Sequence, residues 1–74
     1  MSDLKVRFGK RLRKLRRNKD LTQEQLAEAV DCSVEFISLV ERGVNAPSVA
    51  GLEKFAKALN VEVRDLFTFE GKKR

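Results

Sequence analysis

The sequence predicts an all-α fold, a compact bundle of five short helices in a single domain. Apolar residues recur at spacings of three and four along most of the chain, and Ser, Thr, Gly or Asn stands where each run begins or ends. The length of 74 residues leaves room for one core only. We therefore expect one domain over residues 1–74, with its core at about 3–67 and a short basic tail at 68–74.

The first helix is predicted over residues 3–18. Leu4, Phe8, Leu12 and Leu15 follow helical spacing there, and basic residues fill most of the remaining positions. The pattern is that of an amphipathic helix with one face in the core. A basic amphipathic helix can also bind a membrane surface, but a small bundle needs this apolar stripe for its core, so we expect no membrane partner.

The second helix is predicted to begin at Gln23, because "TQEQ" at residues 22–25 has the form of a capping box. We expect it to bury Leu26, Ala27 and Val30 and to end at Asp31, a residue type that tolerates the left-handed conformation. Such a start and stop leave a helix of only two turns.

The third helix is predicted to begin after Ser33 as its N-cap and to close at Gly43. Its buried face would carry Phe36 or Ile37, together with Val40. The loop "VNAP" follows it.

The fourth helix is predicted from a Ser48 cap to Asn60, and "VEVRDLF" at 61–67 predicts a last short helix. Apolar residues at helical spacing indicate the inward faces of both helices. These residues are Val49, Leu52, Phe55, Ala56 and Leu59 in the fourth helix, and Val63, Leu66 and Phe67 in the last.

The composition argues against an enzyme. There is no His, the residue used most often for general acid–base catalysis, so Ser and Cys side chains have no imidazole to activate them. Cys32 is the only cysteine, which excludes a disulfide framework and a zinc-binding thiolate cluster. We expect no cofactor, metal or small-molecule ligand. With no long apolar run and no signal-peptide pattern at the N-terminus, we expect a cytoplasmic protein.

The net charge of +5 is unevenly distributed. Residues 1–19 carry nine basic residues and one acidic residue, whereas residues 20–41 carry six acidic residues and no basic residue. A basic first segment suggests a polyanionic partner, although a solvated helix face gives the same pattern.

The stretch "LTQEQLAEAVDCSVEFISLVERG" resembles the helix-turn-helix of the phage repressor/Cro-type (XRE-like) family of bacterial transcription regulators. The resemblance extends through "FGKRLRKLR" and "PSVAGLEKFAKALNVEVRDLF", so it covers about residues 8–67. It implies a lambda-repressor-like DNA-binding domain, with the helix-turn-helix at the second and third helices. It also implies a homodimer that binds a two-fold-related site in double-stranded DNA. Restriction–modification controller proteins and small phage or plasmid repressors share this plan, and the sequence does not separate them.

The resemblance assigns roles to individual residues. Contacts with DNA bases would come from the third helix. Phosphate contacts would come from the N-terminus of the second helix and from the loop after the third helix. The base-reading set is Ser33, Val34, Glu35 and Ser38, with Leu39 as an addition. The phosphate set is Thr22, Gln23, Arg42 and Asn45, with Val44 through its backbone and added charge from Arg13 and Arg17.

The resemblance also implies an ion pair between Arg16 and Glu41, which would tie the first helix to the third. Cys32 falls on a position that is often apolar, so we expect a small buried side chain. The apolar "LFTF" at 66–69 predicts a dimer built from the fourth and fifth helices and the tail, with Phe67 and Phe69 among the contacts.

A protein–protein adaptor or antitoxin-like module is the alternative function. The predicted recognition helix has no basic residue, and the acidic residues Glu24 and Glu28 precede it, which weakens attraction to a duplex. A chain that kept the fold and lost DNA binding would carry acidic residues at these same positions.

Overall fold

The computed structural model describes residues 3–69 and confirms the all-α prediction. Four α-helices are followed by one short 3-10 helix, and this part of the chain contains no strand. The basic run at 72–74 of the predicted tail lies outside the described residues. The helices are α1 (Asp3–Asn18), α2 (Gln23–Ala29), α3 (Val34–Glu41) and α4 (Val49–Leu59), and the 3-10 helix is Val63–Phe67.

Three short polar side chains begin the helices as predicted. The hydroxyl oxygens of Thr22, Ser33 and Ser48 each accept a hydrogen bond at 3.0 Å from the backbone N–H three residues later. At α2 the capping box is complete, because the Thr22 N–H also donates to Oε1 of Gln25 at 2.8 Å. Each cap satisfies N–H groups that have no partner inside the helix.

Left-handed residues end three helices. Asp31 (φ 60°), Gly43 (φ 81°) and Asn60 (φ 57°) follow α2, α3 and α4. The α2 helix itself stops at Ala29, two residues before the predicted end, and Val30 is its C-cap. Asp20 also adopts a left-handed conformation (φ 58°), which the sequence analysis did not predict.

The core lies where the helices meet. It includes Leu12, Leu26, Ile37, Val40, Leu59 and Leu66, all fully inaccessible to solvent. Gly9 allows the closest approach, because a Cβ at this position would overlap the backbone carbonyls of Val40 and Glu41. The end of α3 is therefore seated directly on α1.

Five residues predicted to lie in the core are exposed. Leu4 is 55% exposed because it lies in the first turn of α1, and Val49 is 79% exposed because it opens α4 about a quarter turn from its buried stripe. Cys32 is exposed in the turn before α3, with its thiol directed at the carbonyl of Val30 (3.5 Å). Val63 (39%) and Phe67 (36%) are also exposed, because Leu66 alone is buried in the 3-10 helix.

The C-terminal segment packs back on α1. Nε of Arg11 donates to the carbonyl of Asp65 at 2.9 Å, and the rings of Phe8 and Phe67 lie 5.2 Å apart between centroids. The guanidinium of Arg7 lies 4.7 Å from the ring centroid of Phe69. These contacts fix the 3-10 helix against α1.

Within residues 3–69, no helix is long and apolar enough to cross a membrane. The same residues contain no group of three or more His, Cys, Asp or Glu side chains positioned to hold a metal ion.

Candidate nucleic-acid interface

A tight turn orients α3 relative to α2. The N–H of Cys32 donates to the carbonyl of Ala27 at 2.9 Å, and Ala27 is almost completely buried. Two helices joined by so short a turn cross steeply, as in a helix-turn-helix. The crossing leaves the N-terminal end of α3 projecting from the domain.

The predicted base-reading residues lie together at that end. Ser33, Val34 and Glu35 are exposed, and Ser38 is half-buried one turn further along. On the opposite side of the helix, Ile37 and Val40 are fully buried. A helix with one side fixed in the core and the other free at its N-terminal end has the form that fits a major groove.

The start of α2 places two predicted phosphate-binding residues beside the base-reading helix. Thr22 uses its hydroxyl oxygen as an acceptor in the capping box, so its hydroxyl hydrogen remains a donor. Gln23 is the first residue of α2, and its side chain reaches across to the end of α3.

The predicted ion pair between Arg16 and Glu41 is present and buried. Nε of Arg16 lies 2.6 Å from Oε2 of Glu41, and Nη2 of Arg16 lies 3.1 Å from Oε1. Nη1 of Arg16 also donates to the carbonyl of Leu21 at 2.7 Å. A paired fork of this kind fixes geometry as well as neutralising charge.

Gln23 is the third member of this network. Its Nε2 donates to Oε1 of Glu41 at 3.0 Å. A carboxylate only accepts hydrogen bonds, so the amide nitrogen must face Glu41 and the orientation of the amide is determined. One cluster of three side chains (Arg16, Gln23 and Glu41) therefore ties together the end of α1, the start of α2 and the end of α3.

The loop after α3 holds the remaining predicted phosphate contacts. The Arg42 side chain is exposed, and Asn45 is half-buried. The N–H groups of Val44 and Asn45 donate to the carbonyl of Leu39 at 2.9 and 3.3 Å, so the Val44 N–H predicted for a phosphate is already occupied. Nζ of Lys5 lies 3.5 Å from the Val44 carbonyl and adds positive charge beside the loop.

The two predicted dimer residues differ in their surroundings. Phe67 is 36% exposed, whereas Phe69 is half-buried between Phe67 and Arg7 of its own chain. Phe67 borders an apolar groove that runs between α1 and α4. The groove is lined by Leu4, Lys5, Phe8, Ala46, Pro47, Leu52 and Phe67.

The family profile described as Helix-turn-helix matches residues 12–66, which include the whole α2–α3 unit and its caps. The chain belongs to the helix-turn-helix family. The control protein C.MunI from a Mycoplasma species is 39% identical over 69 residues, which are 92% of this chain and 93% of that protein. This helix-turn-helix protein is a DNA-binding transcriptional regulator.

Solved structures share the same fold. The restriction-modification controller protein C.AhdI from Aeromonas hydrophila is 43% identical, with a TM-score of 0.84 over 90% of this chain and all of that one. The biofilm regulator SinR, solved in complex with DNA, is 32% identical, with a TM-score of 0.75 over 80% of this chain and 95% of that one. C.MunI is named as a control protein, C.AhdI as a restriction-modification controller protein and SinR as the master regulator for biofilm formation.

Sequence reasoning missed two features of this helix-turn-helix regulator. The Gln23–Glu41 hydrogen bond joins residues 18 positions apart, and no local pattern signals it. Lys5 reaches the loop after α3 over 39 positions. The acidic residues Glu24 and Glu28 are exposed on α2, on the side away from Leu26.

Proposed function

We propose that this regulator binds a two-fold-related operator as a homodimer and reads its bases with the N-terminal end of α3. The observation that carries the proposal is the Arg16–Glu41–Gln23 cluster, which holds α3 rigidly and leaves its base-reading side exposed. Base readout requires side chains that are positioned before the duplex arrives.

Readout would come from few and small groups. The exposed Val34 can pack on a thymine methyl group, and Glu35 can accept a hydrogen bond from cytosine N4. Ser33 and Ser38 can bond to several base edges, so they add affinity with less discrimination. We expect Val34 and Glu35 to determine sequence preference.

Phosphate contacts would flank this base-reading end. The free N–H of the Gln23 amide and the hydroxyl of Thr22 would donate on the α2 side. Arg42 and Asn45 would donate from the loop after α3. Such contacts set the position of the protein on the duplex and carry no sequence information of their own.

The dimer would form on the apolar groove that Phe67 borders. A second copy is the occupant that a two-fold operator requires, because each protomer presents only one recognition helix. Leu4 at 55% exposure and Phe67 at 36% supply apolar surface beside the groove. Two recognition helices would then lie about one DNA turn, ~34 Å, apart. Phe69 contributes by supporting Phe67.

We propose further that the chain is a controller of a restriction–modification system. The similarity to C.MunI and C.AhdI spans at least nine-tenths of this chain, and both relatives are named as control proteins. A small phage or plasmid repressor is the other role open to this plan. We place the protein in the cytoplasm, where such a duplex is found.

Selection of bound sequences from a random duplex pool tests DNA recognition. We expect enrichment of a site with two related halves, and sedimentation of the free protein at micromolar concentration should show a dimer. A strict monomer that binds one half-site would contradict the dimer.

Salt dependence tests the adaptor alternative. Each neutralised phosphate changes the slope of log affinity against log salt by about −0.9, so we expect a steep fall in affinity. No binding to random duplex at low salt, or a flat dependence, would favour an adaptor that has lost DNA binding.

A further inference from the structure

Four basic residues of α1 form an exposed row on the side of the helix that faces away from the core. They are spaced three and four residues apart, which places them on one helix face. This exposed row, with Asn18 beside it, is here named the α1 basic ridge. The four bases are Lys10, Arg13, Lys14 and Arg17.

Three of the four basic residues, Lys10, Arg13 and Arg17, carry positive charge that no described carboxylate neutralises. Asp3 is the only acid of α1, and it bonds to Arg7 at 3.3 Å, outside the ridge. Among residues 3–69, no carboxylate lies within ion-pair distance of Lys10, Arg13 or Arg17. Like charges three or four residues apart destabilise a helix by about 0.2–0.5 kcal/mol per pair. An anion bound along the ridge would relieve this repulsion.

The composition of the ridge favours a phosphate backbone over a protein surface. None of its five residues is apolar. Protein interfaces have a centre that is poor in charge and enriched in aromatic residues, whereas the attraction of a protein to a duplex backbone comes mainly from Lys and Arg. The ridge provides cations without such a centre.

The position of the ridge relates it to the operator-binding surface. Its C-terminal end, at Arg17, is next to Arg16, which bonds to the carbonyl of Leu21 immediately before α2. From there the ridge extends along α1 away from the proposed phosphate contacts of Thr22 and Gln23. The seven steps from Lys10 to Arg17, at ~1.5 Å each, give about 10 Å, the axial length of about three phosphates on one strand.

We propose that the α1 basic ridge binds the phosphate backbone of the DNA that flanks the operator. This inference rests on the proposed operator binding by α3. The flanking duplex would bend towards α1, and the new contacts would offset the energy of bending. A regulator whose recognition helix contains only acids as charged residues would gain affinity outside the bases it reads.

Duplex length provides the test. The probes are a selected duplex trimmed to its operator and the same duplex extended by about one turn, ~10 bp, at each end. The variant Lys10→Gln/Arg13→Gln removes two ridge charges, and Lys54→Gln/Lys57→Gln removes two exposed charges from α4 as a matched control. Fluorescence anisotropy across a salt series gives the dissociation constant and salt slope, and sedimentation verifies that each variant is dimeric.

We expect the wild type and the control to bind the extended duplex more tightly than the trimmed one, and the ridge variant to lose this difference. On the extended duplex its salt slope should be shallower by about 2 per protomer, since two contacts are removed. An equal loss of affinity on both duplexes, or no loss on either, would overturn the proposal. No loss on either duplex is also the result expected if the ridge binds an acidic protein instead. Failure of wild type to prefer the trimmed duplex over a scrambled one would instead reject the proposed function.

Discussion

Arg16 in α1 and Glu41 at the end of α3 form a buried ion pair whose shorter contact is 2.6 Å, and their side chains are only 9% and 3% exposed. The backbone of Glu41 also lies against Gly9, where a Cβ would leave no room for α3. Because Glu41 also accepts from Gln23, the pair connects the folding core to the proposed DNA-binding surface.

Glu41→Ala should destabilise the domain severely. It leaves Arg16 buried without its carboxylate, and breaking a buried pair costs about 3–5 kcal/mol. Urea unfolding followed by circular dichroism measures the change. Asp3→Ala is the control, since its pair with Arg7 is largely exposed and such pairs contribute about 0–1 kcal/mol. Equal effects of the two substitutions would contradict the structural role of the buried pair.

Gln23→Ala should separate DNA binding from stability. Glu41 keeps both contacts with Arg16, so the loss in unfolding free energy should be about 0.5–1.5 kcal/mol, that of one hydrogen bond. Affinity should fall by a similar factor for all sequences, because a phosphate contact carries no sequence information. Binding measured on the selected operator and on single-base variants tests this. A changed order of preference would place Gln23 at the bases instead.

Glu35→Gln should strengthen overall binding and change the preference at one base pair per half-site. Glu35 is exposed near the start of α3, where its charge interacts with the helix dipole by about 0.3–1 kcal/mol but is repelled by phosphates. A panel of single-base operator variants gives the preference profile. An unchanged profile, with a small loss of thermal stability only, would make Glu35 a residue that stabilises the helix start.

Val34→Ala should lower affinity only at operators with thymine opposite it, because the lost contact is with the thymine methyl group. The same operator panel measures it, and Glu35→Gln provides a comparison on the neighbouring residue. A uniform loss over all operators would show that Val34 supports α3 without reading a base.

Leu4→Gln should weaken the proposed dimer while the monomer keeps its fold. Leu4 borders the apolar groove and is 55% exposed, so its removal costs the monomer little. Burying a leucine contributes about 1.5–3 kcal/mol, so a loss in each protomer should raise the dimer dissociation constant at least tenfold. Sedimentation equilibrium measures the dissociation constant, and Glu28→Gln, which changes an exposed residue of α2, is the control. An unchanged constant would place the interface elsewhere.

The sequence by itself determined the helices, their starts and their family. Ser33 and Ser48 act through hydrogen bonds three residues away, and Gly43 and Asn60 act through their own backbone conformation, so local chemistry was sufficient. The family motif likewise covers a continuous stretch, which made the α2–α3 unit recognisable.

Only the tertiary structure decided which apolar residues remain exposed and how the site is held. Leu4 and Val49 follow helical spacing, but each lies in the first turn of its helix and remains exposed, so periodicity alone predicted them wrongly. The resemblance named the Arg16–Glu41 pair, but not the Gln23 amide that completes it. That hydrogen bond joins α2 to the end of α3 across 18 positions, so only the packing of the helices brings the two side chains together.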